Sequence, residues 1–334
     1  MPFLSLGDLR DLAVAVLTAS KTSPENAALV ADALIRADAD GIASHGVSRL
    51  PVYAGQALSG KVDGFAVPEL TRTGTAALRV DAKCGFAYPA IAAGLDRARD
   101  MIADAGIVAV AIGNSSHAGV LGHPIEDLAG HGLASMAFVN TPAAISPWGG
   151  NRPLYGTNPI AFACPRKDQP ALVIDLSLSK VARGKIKLAA DRDEPIPGDW
   201  ATDADGNPTT DAGAAMRGGS LLPMGGPKGA ALALMVEIMT AAMTGSQFGF
   251  EASSFFDAGG DPSRTGQFFF IFKPEALGGE AVLDRIEVLM TAITDQPDVR
   301  LPGARRLKNR NKAETDGVEI PDALLENLRL RARG

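Results

Sequence analysis

From Leu78 onward the chain alternates short apolar runs with helix-patterned stretches, and this alternation narrows the fold more than any other feature. ALRVDA reads as a strand, the Ala-rich stretch from Tyr88 to Ala105 as a helix, and GIVAVAIG (106–113) as an apolar run typical of a strand buried on both faces. A helix near Val120 to His131 follows, then strands at LASMAFVN (133–140), NPIAFACP and ALVIDLS. A polar excursion rich in Gly, Pro and Asp spans Asp191 to Gly219. Next come a buried helix in PKGAALALMVEIMTAAMTG, a strand in GQFFFIFKP and two further helices. Strands interleaved with helices predict an α/β core. Ahead of it, Ser5 with Asp8 and Ser23-Pro24-Glu25 mark two helix starts, and Gly41 marks the second helix end. Ser44 and His45 then fall in a loop, with Arg49 and Tyr53 one and two turns along the next helix.

The familiar nucleotide and hydrolase signatures are missing. No GxGxxG follows a strand, and GxxxxGK[ST], HExxH, CxxC and GxSxG do not occur. Two cysteines, Cys84 and Cys164, are too few for a disulfide framework, lack metal-ligand spacing and read as core or near-core thiols. A net charge of −6 argues against nucleic acid or an anionic membrane as partner of the whole chain. The Gly229–Gly245 stretch is shorter than a membrane span and contains Glu237. MPFLSLGDLRD has neither a basic start nor a long apolar core, so no signal peptide is expected. The expectation is a soluble, cytoplasmic protein.

Two histidine clusters can carry chemistry. In Ser44-His45-Gly46 with Arg49, the imidazole can exchange a proton, the hydroxyl can orient it, and the guanidinium can grip a carboxylate. The plainer reading is a surface loop whose histidine caps a helix. Asn114-Ser115-Ser116-His117-Ala118-Gly119 directly follows a strand, where α/β proteins bind ligands and small residues admit a cofactor. A tight turn with a structural histidine explains it equally well. Weaker candidates are Thr157 in a Gly-Thr-Asn-Pro turn, Asp175 at a strand end, Lys228 at a helix start and the loop Leu301 to Arg306. His123 and His131 read as helix-surface residues without a role.

Taken in order, DGIASHGVSRLPVY, NSSHAGVLGH, GTNPIAFACP, VIDLSLSKVARGK, PMGGPKGAALALMVE and LPGARR resemble the second malate/L-lactate dehydrogenase family, the sulfolactate-dehydrogenase-like oxidoreductases. That resemblance covers nearly the whole chain. It implies a non-Rossmann NAD(P)-binding α/β fold, a homodimer, and a cytoplasmic enzyme with a small carboxylate substrate and no metal. A helical segment 1–75 would carry Ser44, His45 and Arg49; 76–295 would form the cofactor-binding and dimerisation core; 296–334 would complete that core. Ser44 and His45 match the family's catalytic pair, Arg49 its carboxylate binder, and Thr157, Arg183 and Gly184 its substrate contacts. His117, Ala118, Gly119, Val120 and Leu121 match a cofactor segment, as do Asp175, Leu176 and Ser177, and Pro227 and Lys228. Leu301, Pro302, Gly303, Ala304, Arg305 and Arg306 match the last cofactor loop, whose two arginines suit the 2′-phosphate of NADPH. NADH is the other candidate.

Within the family the chain looks most like Δ1-pyrroline-2-carboxylate and Δ1-piperideine-2-carboxylate reductases, in part through TGSQFGFEASSFFD and TGQFFFIF. This implies NADPH-dependent reduction of a cyclic imino acid to L-proline or L-pipecolate. The alternative on the same scaffold is a dehydrogenase of malate, lactate, ureidoglycolate or a similar 2-hydroxy acid. In ureidoglycolate-type members the histidine matching His117 is the base, so His117 stands as an alternative to His45. A non-catalytic carboxylate-binding protein is the third reading. One departure bears on substrate: related imine reductases carry an aspartate just after the Arg183-Gly184 position, where this chain has Lys185.

Overall fold

The computed structural model describes residues 2–333. The chain opens with β1 (Phe3–Leu4), α1 (Leu6–Ala19) and α2 (Pro24–Ala39). Both helices start at the expected caps. Ser5 Oγ accepts from the Asp8 N–H, and Ser23 Oγ accepts from the Asn26 N–H just ahead of Pro24. Their apolar stripes, among them Leu9, Val16, Val30 and Leu34, are fully buried in one cluster. Two short 3-10 turns, Ala43–His45 and Val47–Arg49, lead into α3 (Leu50–Ser59). Arg49 is therefore the N-cap of α3, not a residue one turn into it, because Pro51 sets the helix start.

The body contains β2 (Glu69–Gly74), β3 (Ala77–Asp81), α4 (Ala87–Ala105), β4 (Ile107–Ser115), α5 (Gly122–Gly130), β5 (Ala134–Val139), β6 (Ile160–Arg166) and β7 (Gln169–Leu176). It continues with α6 (Arg183–Asp191), α7 (Ala212–Met216), α8 (Pro227–Glu237), β8 (Thr265–Phe272), α9 (Pro274–Gly278), α10 (Val282–Thr294), α11 (Ala304–Asp316), β9 (Val318–Glu319) and α12 (Asp322–Arg331). Seven strands form one mixed sheet in the order β2-β3-β4-β8-β5-β6-β7, in which only β3 and β4 run parallel.

The register explains the core. Leu78, Val110, Phe269, Ala137 and Ala161 pair in one row across five strands, so their side chains share a face. That face packs on α4 and α5, the bulky Phe269 being accommodated by the alanines beside it. The same row ends on Asp175 of β7, which places its carboxylate toward the start of α5.

Three expectations are corrected. β4 is not buried on both faces: Val108, Val110 and Ile112 are fully buried, Ala109 and Ala111, on the other face, are half-buried, and Ile107 is exposed. The helix from Pro227 buries Ala233 and Val236 but leaves Leu232, Leu234, Met235 and Ile238 38–43% exposed. It lies on the outer surface of the sheet's second face, with nothing over it among the described residues. His123 is not a surface residue: it is 5% exposed, and its Nε2 lies 2.9 Å from the buried Asp40 carboxylate. The C-terminal segment pairs β9 with β1 and buries Ile320, Leu325 and Leu328 among the N-terminal helices. Cys84 is half-buried and Cys164 buried, as expected. No helix among the described residues is long and apolar enough to cross a membrane.

Candidate active site

The turn after α2 is held from beneath. Asp38, 8% exposed, accepts from the Val47 N–H at 2.7 Å. Gly46 lies so close over this carboxylate that a Cβ there would stand 1.9 Å from Asp38 Oδ1. Only glycine lets the chain cross at that point. Burial pushes the Asp38 carboxyl up to about 7, against the pull of the Val47 N–H. The turn thereby presents Ser44 and His45 outward.

Ser44 Oγ lies 3.0 Å from His45 Nδ1. A hydroxyl both donates and accepts, so it can hold the ring in either tautomer and leave Nε2 to exchange a proton. Burial first, and then the positive charge of Arg49, lowers His45 to about 4, so the imidazole is neutral at pH 7. The Arg49 Nε donates to the Ser44 carbonyl at 2.8 Å, and the guanidinium carbon stands 4.7 Å from the Phe256 ring centroid. Its two Nη groups are left for a carboxylate.

The loop after β4 brings the second histidine to the first. The His45 and His117 rings stack with centroids 5.4 Å apart. His117 Nδ1 is 2.6 Å from the Tyr53 hydroxyl, which is 3.1 Å from the Tyr88 hydroxyl. Phe255 meets His117 edge-on at 5.1 Å. Burial holds His117 well below its ordinary value, so two neutral imidazoles and one guanidinium face the same space. Tyr88, Phe255 and Phe256 had no sequence role; only TGSQFGFEASSFFD hinted at the last two.

The expected cofactor segments converge. Asp175 Oδ2 accepts from the Gly122 N–H at 2.7 Å, joining the end of His117–Leu121 to Asp175–Ser177. A Cβ on Gly122 would lie 2.9 Å from Arg306 Nη1 and 3.1 Å from Asp175 Oδ2. Gly303 packs against the Val173 carbonyl, bringing Leu301–Arg306 to the same edge. The Pro223–Gly226 turn ahead of Pro227 and Lys228 bridges Ser179, and the Ser177 Oγ and Leu178 N–H both donate to the Thr157 carbonyl. Thr157 is in turn fixed by Thr141, whose Oγ1 accepts from its N–H at 2.9 Å. Beneath them the buried Glu237 accepts from Asn158 Nδ2 at 2.7 Å and Asn140 Nδ2 at 3.2 Å.

Two candidates stand differently from expectation. Arg306 has a side chain 10% exposed and turns inward to Asp40 and Glu126, whereas Arg305 is exposed. The buried Arg306 Nε stands 3.3 Å from Asp40 Oδ2, an ion pair outside hydrogen-bond geometry. Arg183 and Gly184 open α6 on the surface with Lys185 beside them; neither cation forms a side-chain ion pair among the described residues. They make no contact with Ser44, His45 or Arg49 through the hydrogen bonds of the chain. A cavity of about 360 Å³ between α2, α4 and α5 reaches this site from behind, through Tyr88, Ala118 and Val120. Among the described residues, no group of three His, Cys, Asp or Glu is placed to hold a metal.

Helices cover both faces of a mixed sheet, and paired histidines beside a guanidinium give a site able to grip a carboxylate and exchange a proton. The sequence pattern of the malate/L-lactate dehydrogenase family matches residues 4–329, and the chain belongs to that family. It is 51% identical over 329 residues to a (2R)-3-sulfolactate dehydrogenase (NADP(+)) of Chromohalobacter salexigens, covering 98% of each chain. It is 38% identical over 326 residues to a Δ1-pyrroline-2-carboxylate/Δ1-piperideine-2-carboxylate reductase of Pseudomonas putida, covering 96% of this chain and 94% of the other. The crystal structure of Δ1-piperideine-2-carboxylate reductase from Pseudomonas syringae pv. tomato superposes with a TM-score of 0.94 at 38% identity, covering 99% of this chain and 100% of that one. The protein is an oxidoreductase.

Proposed function

We propose that the protein is an NADP-dependent 2-hydroxy-acid dehydrogenase whose substrate carries a second anionic group, as 3-sulfolactate does. The resemblance alone put cyclic imines first; the 51% relative moves the hydroxy acid ahead. Lys185 carries this choice. An imine substrate has one carboxylate and a cationic nitrogen, which a nearby aspartate suits. A 3-sulfo-2-hydroxy acid has two anionic ends, which Arg49 and an unpaired Arg183–Lys185 pair suit. The cyclic imine remains the second reading, favoured by the TM-score of 0.94.

The residues present fit the dinucleotide. Gly122 leaves a cradle that a side chain would fill, with Arg306 Nη1 and Asp175 Oδ2 at its wall. His117–Leu121, Asp175–Ser177, Pro227–Lys228 and Leu301–Arg306 would hold it, with Arg305 the exposed cation for a 2′-phosphate. When bound, the nicotinamide accepts or returns a hydride. In oxidation the hydride leaves C2, the hydroxyl proton passes to His45 Nε2, and the C–O bond becomes a carbonyl; reduction reverses each transfer. Arg49 orients C2 through the carboxylate. His117, fixed by Tyr53, walls the site and is the alternative base.

Steady-state rates with (2R)-3-sulfolactate and lactate test the two-anion reading. Lys185→Glu is expected to raise the KM for sulfolactate about tenfold while moving that for lactate little. An equal effect on both, or none, would contradict it.

A second copy of the chain is proposed as the partner, seated on the exposed apolar face of α8 and the following turn, Leu232, Met235, Ile238 and Met243. Sedimentation equilibrium is expected to return twice the chain mass, and Met235→Glu to lower it; a monomer at micromolar concentration would refute this.

A further inference from the structure

The loop between α8 and β8 bears Phe255 and Phe256 yet has neither helix nor strand from residue 253 to 261. Residues Phe256 to Gly260 are exposed. Such a segment has no intrinsic reason to hold two rings in register with His117 and Arg49. The order comes from the exit of α3. Lys61, 3% exposed, donates from Nζ to the carbonyls of Ser254 at 2.7 Å, Asp257 at 3.1 Å and Gly259 at 3.1 Å. Three ammonium protons meet three acceptors, so the group is saturated. Gln56 Nε2 donates to the Asp257 carbonyl at 3.1 Å, and Ser59 Oγ to that of Ala258 at 2.7 Å.

Pinning a loop does not by itself require a charge, and burying an ammonium is costly. No carboxylate lies within ion-pair distance of Lys61 among the described residues; the Asp257 charge favours the cation from further away. A ring of main-chain carbonyls around a monovalent charge is instead how proteins replace the hydration shell of a small cation. We propose that Lys61 is a positioning residue, a tethered cation whose carbonyl cage sets the Phe255–Phe256 wall against which His117 and the Arg49-bound carboxylate are held. The proposal deepens the function argued above and rests on its reading of Arg49 and His117 as parts of the substrate site.

The test uses Lys61→Ala in the full-length enzyme. The empty cage is expected to raise the KM for the acid substrate about tenfold or more, with the dissociation constant of NADPH changed by less than about twofold. Hydrogen exchange over 253–259 should accelerate. Ammonium or methylammonium, small enough to enter the cage and able to donate, should restore both the KM and the protection; tetramethylammonium, which has no N–H, should restore neither. Unchanged exchange would overturn the clamp, faster exchange with unchanged KM would overturn its role at the substrate wall, and loss without ammonium rescue would overturn the cation cage. If the alanine chain does not fold, Gln56→Ala, which frees the same loop from a neutral donor, must show faster exchange and a raised KM, or the proposal fails. The exchange readout needs no substrate, so a wild-type enzyme that turned over none of the candidate acids would count against the proposed function and not against the clamp.

Discussion

His45→Ala is expected to lower kcat about a thousandfold, with NADPH affinity changed by less than about twofold, since removal of a general acid–base typically costs 10²–10⁴. In the proposed site the His45 ring exchanges the proton, while the segments proposed to hold the dinucleotide lie on other elements, after β4, at the end of β7, at the start of α8 and around the start of α11. The pH profile of the wild type carries the same claim. With His45 lowered to about 4, the neutral base is present across pH 5–8, so kcat/KM for oxidation should be flat there. Reduction needs the protonated ring, so its kcat/KM should climb as the pH falls toward 4. A break near 6.5 would mean that an unperturbed histidine does the work. Normal turnover in His45→Ala would transfer the role to His117, and His117→Ala would then show the loss.

The second large effect is on stability. Asp40 has a fully buried side chain and accepts from Arg310 Nε at 2.7 Å, from Arg310 Nη2 at 2.9 Å and from His123 Nε2 at 2.9 Å. Glu126 extends the network to Arg36 at 2.8 Å, and Arg306 reaches both acids. Burial keeps His123 neutral, so Arg310 supplies the counter-charge. Burial alone would raise the Asp40 carboxyl, but the hydrogen bonds from His123 and Arg310 and the Arg310 charge hold it below its usual value. Asp40→Ala strands buried guanidinium groups and should cost about 3–5 kcal/mol, since removing one partner of a buried pair leaves a charge uncompensated. Because the folded pKa is depressed, this stabilisation is present above the unfolded value of about 3.9 and is lost as the pH falls through the folded one. Denaturant midpoints at neutral pH should fall clearly in the variant, and the gap between variant and wild type should narrow in acid. Equal midpoints at pH 7 would show that the network contributes no net stability.

What the sequence reveals and what it hides divide along the distance between partners. Ser5 and Ser23 act within three residues, and both caps stand where the pattern puts them. The strands from β3 to β8 are legible because apolar alternation is local. Ser44 and His45 are neighbours and hydrogen-bond as neighbours do. The Asp40–Arg310 pair spans 270 residues, and no local pattern announces it. The same holds for Lys61, whose acceptors lie 193 to 198 residues away and are backbone atoms, which carry no residue signature. His123 misleads for a related reason: a polar residue on a helix reads as solvated unless a second layer over that helix is known. The apolar stretch at α8 reads as buried because sequence registers hydrophobicity, not which surface covers it.

The most direct measurement is consumption of NADPH with 3-sulfopyruvate beside Δ1-pyrroline-2-carboxylate, each repeated with NADH. The account predicts fast turnover of the sulfonated oxo acid with NADPH, slower turnover with NADH, and little reduction of the imine. Fast reduction of the imine alone would contradict it, returning the site to the imino-acid reductases and showing that Lys185 takes no part in choosing the substrate.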